Sequence, residues 1–126
     1  MSLRSPLGRV RGLGSAKEGV AHWWAQRLTA LALIPLALWL IVTILTLMVS
    51  TYAEAAAFFR QPFNAVFMAL LVAATFHHGQ LGLQVVIEDY VHTESVKIAL
   101  LLLVKALAVV LAALGILAVL KLTLAG

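Results

Sequence analysis

An all-α membrane protein, three transmembrane helices preceded by a short interfacial N-terminal helix, is the fold class this sequence predicts. Three observations predict it. The chain has 126 residues, of which 63% are hydrophobic and 11% charged, and its mean hydropathy is +1.06. A soluble domain runs about 45 to 50% apolar and about 25% charged. A domain this short leaves roughly a third of its unfolded-chain surface exposed after folding, and this chain lacks the polar side chains to cover it. Second, three charge-poor runs each reach the roughly 20 residues that a helix needs to cross the hydrocarbon core. Third, the basic residues crowd toward one end. The composition excludes disorder, and the absence of cysteine excludes a disulfide scaffold. A soluble enzyme with its own aqueous cleft is excluded as well. The net charge of +4 and pI of about 10.0 would suggest nucleic acid only if the cations clustered on a folded surface. Here they mark a membrane side, and no nucleic-acid partner is expected.

The elements follow in order. Ser15-Ala16-Lys17-Glu18 reads as a Ser-x-x-Glu capping box, which opens a helix by satisfying two orphan amide donors. That helix is expected to lie at the interface and to lead through His22, Trp23 and Trp24. Paired tryptophans suit headgroup depth, with rings inward and indole N–H toward water. The first span, residues 28–49, has no charge. Its Pro35 is expected to kink it, which bundled membrane helices tolerate. Residues 50–61 are expected to form a loop, including the small-residue triplet Ala53-Glu54-Ala55. A signal peptide is excluded because its apolar region runs about 7 to 15 residues. The second span, residues 62–87, opens on Pro62, a first-turn position where a missing N–H costs nothing. Its only polar side chains of note are His77, His78, Gln80 and Gln84, and the third span, residues 96–124, carries Lys105 and Lys121. Cytoplasmic flanks carry the excess of Lys and Arg. Arg4, Arg9, Arg11, Lys17 and Arg27 precede or open the first span, whereas residues 50–61 hold only Arg60. The N-terminus is therefore expected inside and the C-terminus outside, with residues 1–126 forming one membrane domain. The Arg-rich, acid-free start also fits a transit peptide, and flank charge explains it equally well.

The informative residues are the polar ones left at depth, because each is costly unless it faces a partner or cavity. His78 lies nine residues before the inner end of its span, roughly 14 Å along the axis and near the bilayer middle. A neutral imidazole there can ligate a metal or haem. Gly82 follows one turn later on the same face, where a missing side chain lets something flat approach the backbone. The competing reading is a hydrogen-bonded histidine beside a small-residue packing contact. His77 points about 100° away, and His22 and His92 fall at the inner interface. A two-histidine iron would thus need its second ligand from another chain. The other polar cluster is Glu88-Asp89-Tyr90-Val91-His92, which with Arg27 is expected at one depth at the inner ends of the spans. There a phenol can donate to a carbonyl oxygen and a guanidinium can bind a carboxylate. An ordinary charged loop with aromatic anchoring explains it too. Lys105 either snorkels inward or pairs with an acid of a partner chain.

Two stretches carry a resemblance: His22-Trp23-Trp24-Ala25-Gln26-Arg27-Leu28-Thr29-Ala30, and residues 78–91, in which Gly82, Asp89 and Tyr90 stand four, eleven and twelve places after His78. With the three-span plan they cover nearly the whole chain after about Ser15, and the chain resembles the hydrophobic membrane anchor subunits of succinate dehydrogenase, respiratory complex II, of the bacterial haem b type. The resemblance implies that His78 is one axial ligand of haem b, that Tyr90 hydrogen-bonds the ubiquinone head group with Asp89 supporting it, and that Arg27 and His22 lie near the haem propionates, with Gly82 providing clearance. The spacing of His22 to Arg27 varies in the family, which bears on His22 more than on Arg27. It further implies a cytochrome b subunit that supplies the other axial histidine, and an iron-sulfur subunit and a flavoprotein that dock on the inner side of the bacterial inner membrane. The chain would be non-catalytic by itself, and with no cysteine it supplies no cluster thiolates. The anchor of a quinol:fumarate reductase fits the same features. A small transporter lacks an acid within any span, since Glu18, Glu54, Glu88, Asp89 and Glu94 all lie in flanks or loops. A haem-free assembly protein is the remaining alternative.

Overall fold

Residues 5–10 and 18–125 are described in the computed structural model, and they form five helices. The first, α1 (Pro6–Val10), starts as its sequence dictates. Ser5 Oγ accepts from the Gly8 amide at 3.0 Å, and Pro6 occupies the first turn. It is a short N-terminal helix, though not the one expected to lead through His22–Trp24, whose capping box at Ser15 lies outside the described residues. The next, α2 (Glu18–Leu47), is one helix of 30 residues. His22, Trp23 and Trp24 are its first turns, continuous with the first span, because no helix breaker separates Trp24 from Leu28. It also continues through Pro35.

Residues 50–61, expected as a loop, contain a further helix, α3 (Tyr52–Arg60). Its signal is a capping box that the sequence reading passed over. The Thr51 amide donates to Glu54 Oε2 at 2.7 Å, and the Glu54 amide donates to Thr51 Oγ1 at 3.3 Å. Two orphan donors are thus satisfied reciprocally, and the Ala53-Glu54-Ala55 triplet is helical. Phe58 stacks on Trp39 of α2 with centroids 6.5 Å apart. Gln61 caps both neighbouring helices, and Pro62 opens α4 (Pro62–Tyr90), 29 residues long. Three residues later α5 (Glu94–Leu124) begins and runs for 31.

At 1.5 Å per residue α2, α4 and α5 are each about 45 Å long, enough to cross roughly 30 Å of hydrocarbon with a turn or more to spare at each end. All three are apolar enough to do so. Helix α4 is central, with α2 packed on one side and α5 on the other. The α4–α5 approach is close: a Cβ on Gly115 would fall 2.8 Å from Val72 Cγ1, the small-residue packing that membrane helices use. The buried apolar side chains are few, among them Leu71, Leu81 and Ile87 on α4, while Leu31, Ile34, Leu38, Leu102 and Val109 on the flanking helices are exposed. Helices apolar all round with so small a core are built to face lipid or other membrane helices.

Candidate functional site

One line of polar residues follows the α2–α4 seam. Gly19, His22, Gln26 and Thr29 recur at intervals of three, four and three, which places them on one face of α2. That face meets α4 in antiparallel register. Thr29 Oγ1 lies 3.0 Å from His78 Nδ1, a Cβ on Gly82 would lie 3.7 Å from Gln26 Nε2, and Gly19, His22, Gln84 and Glu88 line a cleft of about 290 Å³ at the end of the seam. Twelve residues, about 18 Å of helix, separate His78 from Tyr90, which leaves the half-buried imidazole near the middle of α4.

The bond at His78 has a direction. Thr29 Oγ1 is also 2.7 Å from the Ala25 carbonyl oxygen, and two oxygens that close need a proton between them. The carbonyl has none, so the hydroxyl donates there and its lone pairs accept Nδ1–H. His78 Nε2 is then the unprotonated nitrogen, the form in which imidazole ligates. One turn on, the contact of Gly82 with Gln26 is an ordinary one, so α2 packing does not itself require a glycine there.

Two buried atoms on this seam, His22 Nε2 and Gln26 Oε1, have no hydrogen-bond partner among the described residues. A buried polar atom left unpaired costs about 1 to 3 kcal/mol. Gln26 was not singled out from sequence; its place one turn after His22 and opposite Gly82 is the signal that finds it.

The register separates residues expected together. With Thr29 opposite His78 and Gln26 opposite Gly82, Tyr90 falls at the very start of α2, and Arg27 lies about nine residues, ~14 Å, deeper. Arg27, Asp89 and Tyr90 therefore do not form one cluster at a single depth. Arg27 instead covers Trp23, its Cζ 5.5 Å from the ring centroid, a cation–π contact. Asp89, Tyr90 and His92 are exposed at the α4–α5 end. His77 points away from the seam and lines, with Gln80 and Lys105, a groove of about 380 Å³ between α4 and α5. Gln80 donates to Gln84 at 3.2 Å and Gln84 to Glu88 at 2.9 Å, a polar ladder running along α4 to its exposed end.

Comparison with known proteins shows the family. The family model described as succinate dehydrogenase/fumarate reductase transmembrane subunit matches residues 1–113. The chain belongs to this family. Among its relatives, the succinate dehydrogenase hydrophobic membrane anchor subunit of Rickettsia bellii is 33% identical over 102 residues, covering 81% of this chain and 82% of the relative. The succinate dehydrogenase membrane anchor subunit of Reclinomonas americana is 30% identical over 97 residues, covering 74% and 80%. The protein named succinate dehydrogenase hydrophobic membrane anchor subunit in Paracoccus denitrificans is 33% identical over 86 residues, covering 68% and 67%. Family membership and three apolar helices of spanning length make this a multi-pass membrane protein.

Proposed function

We propose that the chain is the membrane anchor of a succinate:ubiquinone oxidoreductase, sharing haem b with a cytochrome b subunit through His78 and contributing Tyr90 and Asp89 to the ubiquinone site. The observation that carries the haem assignment is the 3.0 Å contact of His78 Nδ1 with Thr29 Oγ1, which leaves Nε2 unprotonated near mid-span. The seam residues fit the group. Gly82 leaves room beside the ligand, and His22 Nε2 and Gln26 Oε1, buried and without a partner among the described residues, can pair with inserted polar groups, an acceptor for a protonated His22 Nε2 and a donor for Gln26 Oε1. A haem propionate can accept from His22 when its Nε2 carries the proton, and Arg27, about as deep as Gln80, offers charge from the opposite side of α2.

A bis-histidine haem has no open coordination position and supplies electron transfer or storage. This chain offers one histidine on the seam at that depth, so the partner subunit provides the second. Tyr90 O–H donates to a quinone carbonyl, and Asp89, its neighbour on α4, supports the site. Tyr90 is 78% exposed, so other subunits wall the site. The flavoprotein and iron-sulfur subunits dock on the face where Tyr90 and the start of α2 lie. Charge asymmetry puts that face inside, with the N-terminus inside and the C-terminus outside. Relatives in Rickettsia and Paracoccus favour a bacterial inner membrane, and their designation as succinate dehydrogenase subunits favours succinate oxidation over fumarate reduction. The succinate chemistry itself belongs to the soluble subunits.

A reduced-minus-oxidised spectrum of the purified complex, wild type against His78→Ala, tests the ligand. Loss of the b-type signal with the soluble subunits still bound is expected. An unchanged signal overturns the assignment.

A further inference from the structure

We propose that Thr29 is the positioning residue for the haem ligand: by accepting Nδ1–H of His78 it holds the imidazole in one tautomer and one orientation, and it strengthens Nε2 as a donor to the iron. The proposal rests on the reading of His78 as an axial ligand. Its geometry does not. Thr29 Oγ1 has three neighbours, the Ala25 carbonyl oxygen at 2.7 Å, the Gln26 carbonyl oxygen at 3.1 Å and His78 Nδ1 at 3.0 Å. Its single proton is committed to α2's own backbone, the back-bonding that threonine makes within a helix. Only lone pairs remain for the ring, so the histidine must be the donor.

Three consequences follow. The tautomer is set, because the nitrogen that ligates is decided by the hydrogen bond the other nitrogen makes. The ring plane is set as well, since the second torsion of histidine is soft and broad and this bond ties it to a hydroxyl that α2 itself holds still. The electronics are also tuned, because a ligating histidine that donates its other N–H becomes more basic at the ligating nitrogen. A more basic ligand favours the ferric over the ferrous iron. Thr29 and His78 are both half-buried, and a hydrogen bond shielded from water acts more strongly than an exposed one. Thr29 touches no iron and acts only through His78.

Valine has the shape of threonine without the acceptor, so Thr29→Val in the intact purified complex is the test, beside Thr29→Ser and His78→Ala. Two quantities are read: haem retained per complex during dilution with an excess of apomyoglobin, and the haem midpoint potential by redox titration. Thr29→Val is expected to weaken haem retention about 10- to 100-fold, as other outer-shell partners of metal-bound histidines do, and to move the potential upward. Thr29→Ser, which keeps the acceptor, is expected to restore both. Wild-type potential and retention in Thr29→Val, with haem lost from His78→Ala, overturn the role of Thr29 and leave the ligand standing. Haem unchanged in His78→Ala overturns the ligand reading itself. If Thr29→Val does not co-purify with its partner subunits, the same two readings on Thr29→Ala decide.

Discussion

Replacing Gly82 by alanine separates the needs of this chain from the needs of what it binds. In the chain alone a Cβ at Gly82 meets only Gln26 Nε2, at 3.7 Å. That is van der Waals contact without a clash. Alanine is also the better helix former by about 1 kcal/mol, so helix α4 and its packing on α2 are expected to be as stable or slightly more so. In the assembled complex the methyl group enters the space proposed for the edge of the haem. Overpacking a filled site costs about 1 to 3 kcal/mol, and with tenfold for every 1.4 kcal/mol that is about a 5- to 150-fold loss in haem affinity. Gly82→Leu exceeds this. The assay is haem content per complex, by pyridine haemochrome, set against the thermal midpoint of subunit dissociation. The expected pattern is haem lost while assembly survives in Gly82→Ala. Full haem content in both Gly82→Ala and Gly82→Leu would refute the clearance, and with it the placement of haem beside this turn of α4.

Other expectations follow from the same geometry. Tyr90→Phe removes one hydrogen bond worth about 0.5 to 1.5 kcal/mol, so succinate:quinone turnover falls about two- to tenfold while reduction of a soluble dye by succinate is unchanged; equal loss of both means that docking failed instead. Gly115→Leu drives a side chain into Val72, whose Cγ1 already lies 2.8 Å from the Cβ position, and is expected to cost about 1 to 3 kcal/mol, read as a lower midpoint of thermal dissociation. The Thr51 amide, and next its hydroxyl, hold the Glu54 carboxyl below its ordinary value of 4.5. A depressed folded-state pKa means that the cap is intact above that value and is lost as pH falls through the lowered one. Protection of the α3 amides, corrected for the intrinsic pH dependence of exchange, should therefore be flat from pH 7 to about 5 and fall under further acid, and Glu54→Gln should abolish that acid limb.

Much of the fold was legible because spanning is a local property. A run such as residues 28–49 contains its own length, apolarity and lack of charge; the helices of the second and third spans extend a few residues beyond the expected bounds, while that of the first gains the turns before Leu28 and ends at Leu47. The miss at α3 was also local. Thr51 and Glu54 make the same Ser/Thr-x-x-Glu signal that was read at Ser15, but attention to apolarity left residues 50–61 as a connector. At the site, His78 stood out by depth and Gly82 by its spacing from it. Gln26 and Thr29 did not, since a glutamine and a threonine near a span end look like ordinary interfacial residues until something is known to sit opposite them.

What the sequence by itself determined is how many helices cross, which polar side chains they carry to depth, and the family to which the motif at residues 78–91 points. All of these depend on composition and spacing along one chain. Only the tertiary structure decided the rotation and sliding of α2 against α4, and hence that Thr29 meets His78, that His22 Nε2 and Gln26 Oε1 are buried without partners among the described residues, and that Arg27 stands about 14 Å from the level of Tyr90. The reason is physical. Helices apolar all round have no polar face to declare which side turns inward, so their pairing is set by close packing and a few hydrogen bonds between helices, which exist only once both are in place.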